Sequence, residues 1–132
     1  MLLSFTSPLC SMNPKQFLQV GGVILLLLGI IGFLVPNLLG DLLWFDSAEN
    51  VAHTVLGIVA LIAAGAPLGA GLRKGLVIIV GLVALFFGVM GFVVAGNAAP
   101  NFYGVTNLEM LDNIVHIAVG VWAFLASMGK EM

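Results

Sequence analysis

The sequence predicts an all-α membrane protein of four transmembrane helices arranged as two tandem helical hairpins. Three observations carry that prediction. The chain of 132 residues is 61% hydrophobic and only 8% charged, far from the balance of a soluble domain. It contains four long apolar runs. Its first half also reappears in its second, with Gly22, Gly29, Gly32 and Gly57 each matched by a glycine.

The apolar runs are Phe17 to Val35, Ala48 to Ala64, Gly75 to Ala95 and Asn107 to Met128. Most approach the ~20 residues with which an α-helix crosses about 30 Å of hydrocarbon. Asn13, Pro14 and Gln16 suit the N-cap, first-turn proline and capping partner of helix one, which Pro36 ends. Trp44 and Phe45 follow where aromatic side chains favour the membrane interface. "GAPLGAGLRK" reads as a flexible turn between helices two and three. Thr106 and Glu109 have capping-box spacing, which starts helix four near Asn107.

In "GGVILLLLGIIGFLV" and "VGLVALFFGVMGFVV", Gly22, Gly29 and Gly32 align with Gly81, Gly88 and Gly91 at a shift of 59 residues (22 to 81). In the second helix of each half the shift is 63 (53 to 116). It pairs Asp46 with Glu109, Glu49 with Asp112, Asn50 with Asn113, His53 with His116 and Gly57 with Gly120. The second outer loop is therefore four residues longer. Two copies that each cross twice share one orientation, so a pseudo-two-fold axis along the membrane normal relates them. The division is a cytoplasmic N-terminal segment, residues 1–14, and a transmembrane domain, residues 15–129, with repeat one at 15–66 and repeat two at 74–129.

Lys15, Arg73, Lys74 and Lys130 all fall on one side of this arrangement, and the positive-inside rule makes that side cytoplasmic, with both termini. Asp41, Asp46, Glu49, Glu109 and Asp112 fall at the opposite face, leaving Glu131 inside. The localisation expected is multi-pass in a prokaryotic inner or plasma membrane. The absence of a basic patch argues against a nucleic-acid partner. The expected partners are the lipid bilayer and either a larger membrane complex or further copies of the chain. No cationic region precedes the first apolar residues, which argues against a cleaved signal peptide. The single Cys10 rules out an intramolecular disulfide and reads as a free cytoplasmic thiol.

At about 100° per residue, Asp46, Glu49, Asn50, His53, Gly57, Ala60 and Ala64 share one face of helix two. Val51, Val55, Ile58 and Ile62 form the opposite, lipid-facing side. Helix four repeats the pattern with Glu109, Asp112, Asn113, His116, Gly120, Ala123 and Ser127. Glycine stripes on helices one and three complete the set, and small residues let membrane helices approach closely. The four stripes are expected to face one another, with helices two and four close together below the histidines.

Glu49, Asn50, His53, Asp112, Asn113 and His116 therefore form a polar cluster near the outer face. Its simplest reading is a structural clasp that fixes register, each carboxylate orienting the imidazole four residues on. Intramembrane ionisable groups also invite functional readings. His53 and His116 could be axial ligands of haem or another pigment, or join Glu49 and Asp112 around zinc or copper, although the spacing is not H-E-x-x-H. A proton path would need polar groups through the span, and only Thr54 and Ser127 stand below the outer turns. There is no catalytic triad context, phosphate loop or dinucleotide signature. The expectation is a non-enzymatic structural or accessory membrane protein without a cofactor. The alternative is a bis-histidine haem-, pigment- or metal-binding protein.

The doubled N-x-x-H-x-x-x-G, filled by Asn50, His53 and Gly57 and by Asn113, His116 and Gly120, follows "GIIGFLV" and "GVMGFVV". In this the chain, from Lys15 to Met128, resembles the small bacterial and archaeal four-helix membrane proteins known only as domain of unknown function 4383. The resemblance implies a four-span membrane fold and no particular activity. The compact loops and the residues before Met12 depart from that pattern.

Overall fold

A computed structural model describes residues 12–131; Cys10 lies outside them. Four helices are present: α1, Pro14–Leu34; α2, Ser47–Gly65; α3, Ala70–Val93; and α4, Met110–Ser127. Each is long and apolar enough to cross a membrane, so the chain is read as a multi-pass membrane protein. A 3-10 turn, Gly40–Leu42, lies in the loop between α1 and α2.

The first helix starts as its sequence dictates. Gln16 N–H donates to Asn13 Oδ1 at 2.9 Å and Asn13 N–H to Gln16 Oε1 at 3.0 Å, with Pro14 in the first turn. Two other starts differ from expectation. Helix α3 begins at Ala70, so Arg73 and Lys74 lie within its first two turns and only a short connection remains after α2. Helix α4 begins at Met110 with Glu109 as N-cap, and the capping box is Glu109 with Asp112, not Thr106 with Glu109. Thr106 has a better partner elsewhere: its hydroxyl donates to Asp46 Oδ2 at 2.6 Å.

The glycine stripes meet in pairs within each hairpin, not as a group of four. A Cβ on Gly57 would stand 2.6 Å from Leu26 N and 2.9 Å from Gly22 O on α1. On Gly120 it would meet the Leu85 side chain at 2.6 Å and Gly81 O at 3.1 Å on α3. Helix α1 also reaches α3 and α4, whereas α2 packs closely on α1 alone. The expected close approach of helices two and four is therefore overturned. A wheel gives the direction of a small face about its own axis, and those faces are consumed by the sequence neighbour.

The core lies at the end holding the described termini. Phe17 packs edge-on against Trp122 with ring centres 4.5 Å apart, and Leu18, Ala63, Ala64, Val77, Ala123 and Ala126 are buried around them. Arg73 bridges Glu131 through two nitrogens, Nε to Oε1 at 2.8 Å and Nη2 to Oε2 at 2.7 Å, and its Nη1 donates to Ala66 O at the end of α2. Asn13 Nδ2 donates to Lys130 O, tying the beginning of α1 to the segment after α4. The sides of the bundle are apolar and exposed, Val51, Val55, Ile58 and Ile62 among them, as the wheel predicts.

Candidate functional site

At the other end the polar residues divide into three groups with different work. Asn50 and Asn113 lock the hairpins internally. Each amide lies directly over a glycine of the preceding helix, Asn50 over Gly32 and Asn113 over Gly91, where any Cβ would collide with it. Both Oδ1 atoms are buried without an N–H or O–H donor. Their position on glycine backbone suits Cα–H···O contacts, worth about 0.5–1 kcal/mol each. Asn50 Nδ2 donates to Phe45 O at 3.1 Å, and Phe45 is buried rather than anchored at an interface; Trp44 beside it is exposed.

Asp46 and Glu109 form the second group and connect one hairpin to the other. Asp46 Oδ1 accepts from Glu49 N at 2.9 Å, capping α2, while Oδ2 accepts from Thr106 Oγ1 and, at 3.0 Å, from Asn107 N. Reciprocally, Glu109 Oε2 accepts from Trp44 N at 2.8 Å. Trp44 and Asn107 are themselves related by the shift of 63 (44 to 107). In both halves, therefore, the backbone N–H two residues before the N-cap donates to the N-cap carboxylate of the other half. The clasp expected from sequence omitted these two residues and their donors. The alignment had paired them, but a pairing does not say which half a carboxylate serves.

Glu49, Asp112, His53 and His116 make up the third group. Glu49 and Asp112 are both buried, and Glu49 Oε2 has no N–H partner among the described residues. Neither carboxylate orients an imidazole as expected. His116 Nδ1 pairs with the Asp112 backbone carbonyl at 2.7 Å, whereas His53 Nδ1 is buried without a partner. Both imidazoles are half-buried and line one cavity of about 390 Å³. Its remaining wall comes mainly from α2, from Ile79 to Phe87 on α3, and from Phe102, Val105, Thr106 and Leu108 in the loop between α3 and α4.

That loop is built to stay in place. Asn101 spans it, donating from Nδ2 to Leu108 O at 2.9 Å and accepting at Oδ1 from Leu108 N at 2.8 Å, while Phe102 N donates to Thr106 O. Phe87 and Phe102 belong to no motif of the sequence; the aromatic pair of "NFYG" in the longer of the two hairpin loops is the signal that points to them. Among the described residues no group of three His, Cys, Asp or Glu side chains is placed to hold a metal ion. No protein-family model, curated protein or solved structure matches this chain.

Proposed function

We propose that the chain is a non-enzymatic membrane protein, structural or accessory to a larger assembly, built from two tandem copies of one hairpin and seated in a prokaryotic inner or plasma membrane with both termini cytoplasmic. The observation that carries this reading is the reciprocal pair of bonds, Trp44 N to Glu109 and Asn107 N to Asp46. Both carboxylates are committed to backbone N–H groups and helix caps, a use that fixes register and leaves no free general base there. Arg73 and Glu131 at one end, and Asp46 and Glu109 at the other, fit the positive-inside orientation. The resemblance to domain of unknown function 4383 belongs to the same proposal and adds no activity to it.

A double-mutant cycle on Asp46→Ala and Glu109→Ala in the purified, nanodisc-embedded protein tests the joint. Non-additive losses of stability are expected, because both variants loosen the same contact. Strictly additive, small losses would remove the joint from the account. Purification from native membranes under mild detergent then asks about assembly: a stoichiometric partner or a defined homo-oligomer is expected. A Soret or pigment band abolished by His53→Ala and His116→Ala would instead establish the bis-histidine alternative.

A further inference from the structure

The loop between α1 and α2 carries an apolar surface that the bundle does not use. Val35, Leu38, Leu39 and Leu42 are 46%, 56%, 41% and 71% exposed, and Trp44 at the end of the loop is 44% exposed. Water is an unfavourable neighbour for such a group of side chains. Their continuity with α1 indicates what covers them. On that helix Leu27, Ile31 and Leu34 are exposed at steps of three and four residues, a row that faces acyl chains when the helix spans a bilayer. Steps of the same size lead on to Leu38 and Leu42, so the lipid-facing surface continues past the end of the helix.

Depth agrees. Lys15 stands at the start of α1, and a rise of 1.5 Å per residue puts Leu34 about 28 Å further on, at the opposite edge of a hydrocarbon layer about 30 Å thick. The residues that follow lie where acyl chains give way to headgroups. Asp41, in their midst, opposes deeper entry. The backbone is prepared for that boundary: Leu38 N–H donates to Val35 O at 3.1 Å, Gly40 N–H to Asn37 O at 3.0 Å and Leu42 N–H to Leu39 O at 3.2 Å. Successive turns thus meet part of their own hydrogen-bonding need, which lowers the cost of leaving water. Both ends of the segment are held, one by α1 and the other by the bond from Trp44 N to Glu109.

We propose that residues 35–44 form an interfacial segment lying along the bilayer surface, with Val35, Leu38, Leu39 and Leu42 seated on the acyl chains of the leaflet around α1 and Trp44 at headgroup depth. The partner of this surface is phospholipid. The contact holds the hairpin joint at the membrane surface, because the N–H that reaches Glu109 belongs to the same segment. The inference rests on the four helices spanning a bilayer.

The test uses the full chain in nanodiscs of phosphatidylcholine brominated either high on the acyl chain or near its end, bromine being a quencher of tryptophan fluorescence. Trp44 is one of two tryptophans, and the signal lost in Trp44→Phe isolates it without disturbing Trp122, which packs on Phe17. Its quenching is expected to be about twofold stronger with the shallow bromines than with the deep ones, and weak with dissolved iodide. Leu38→Ser combined with Leu42→Ser, both changes on exposed side chains, should cut the quenching by lipid by about half and leave the melting temperature unchanged. Quenching by iodide in place of bromolipid would put the segment in water, and shielding from both would put another copy of the chain on it; either overturns the proposal. So would lipid quenching that the serine pair does not alter. Leu82→Trp, made in the Trp44→Phe background at an exposed site in the middle of α3, reports on spanning and should be quenched most by the deep bromines. Loss of that signal would sink the spanning reading and the proposal with it, whereas its presence beside an unquenched Trp44 would sink the proposal alone.

Discussion

The two hairpins use like residues at many corresponding places and yet end differently at the end away from the described termini. In the second, His116 is held by the Asp112 carbonyl and a longer loop, stapled by Asn101, lies against the cavity. In the first, His53 has no partner at Nδ1 and the loop contributes nothing to the cavity wall. The correspondence produces the joint, since equivalent N–H groups and carboxylates answer each other. The departure from it produces a one-sided chamber with one fixed imidazole and one free.

That contrast can be broken most severely at the crossing glycines. Gly57→Ala places its methyl group only against α1 backbone, which cannot yield, while Gly120→Ala meets Leu85 Cγ and Cδ2 at 2.6 Å, a side chain that can shift, and Gly81 O at 3.1 Å. The expected losses are about 3 kcal/mol for Gly57→Ala and about 1 kcal/mol for Gly120→Ala, read from unfolding of the reconstituted protein. Equal losses would mean that the hairpins pack with the same tolerance.

Next come the carboxylates of the joint. Asp46 is buried and accepts three hydrogen bonds, so Asp46→Ala is expected to cost about 2–3 kcal/mol. Glu109→Ala, which loses the bond from Trp44 and one from Asn107, is expected to cost about 1 kcal/mol in the same assay.

The histidines give a smaller and opposite pair of effects. His53→Phe removes a buried atom that has no partner and should leave stability unchanged or raise it by up to about 1 kcal/mol. His116→Phe forfeits the contact with Asp112 and should lower it by about 1 kcal/mol. A larger loss from His53→Phe than from His116→Phe would reverse the assignment of the free imidazole.

The smallest effect lies at the opposite end. The Arg73 guanidinium holds the Glu131 carboxyl below its ordinary value. A carboxyl depressed in the folded state adds stability above its ordinary value, and that stability is lost as pH falls through the lowered one. Glu131→Gln should therefore flatten a shallow decline in melting temperature below about pH 4.5 and leave the neutral-pH value nearly unchanged. An undiminished acid decline in the variant would assign that dependence to other groups.

Much of the fold was legible because lipid exposes one property, helix faces, with little ambiguity. The runs around Gly29 and Gly88, the capping box at Asn13 and the exposed stripe from Val51 to Ile62 all follow from local chemistry and period. What a single helix does not specify is its neighbour. Gly57 could serve α1 or α4, and Thr106 could cap its own helix or reach Asp46; in each case the choice rests on the geometry of both hairpins together. Local spacing brought His53 and His116 into view. It could not bring in Phe102 and Leu108, because their approach to the cavity depends on a loop folded by side-chain-to-backbone bonds at Asn101.

The asparagine amides resting on Gly32 and Gly91 also constrain how this chain can drift over generations. A larger residue at either glycine requires a smaller one at its asparagine, so the two positions of each pair are bound to change together or not at all. Gly32 with Asn50, and Gly91 with Asn113, should consequently behave as two inherited units, each free to be lost only whole.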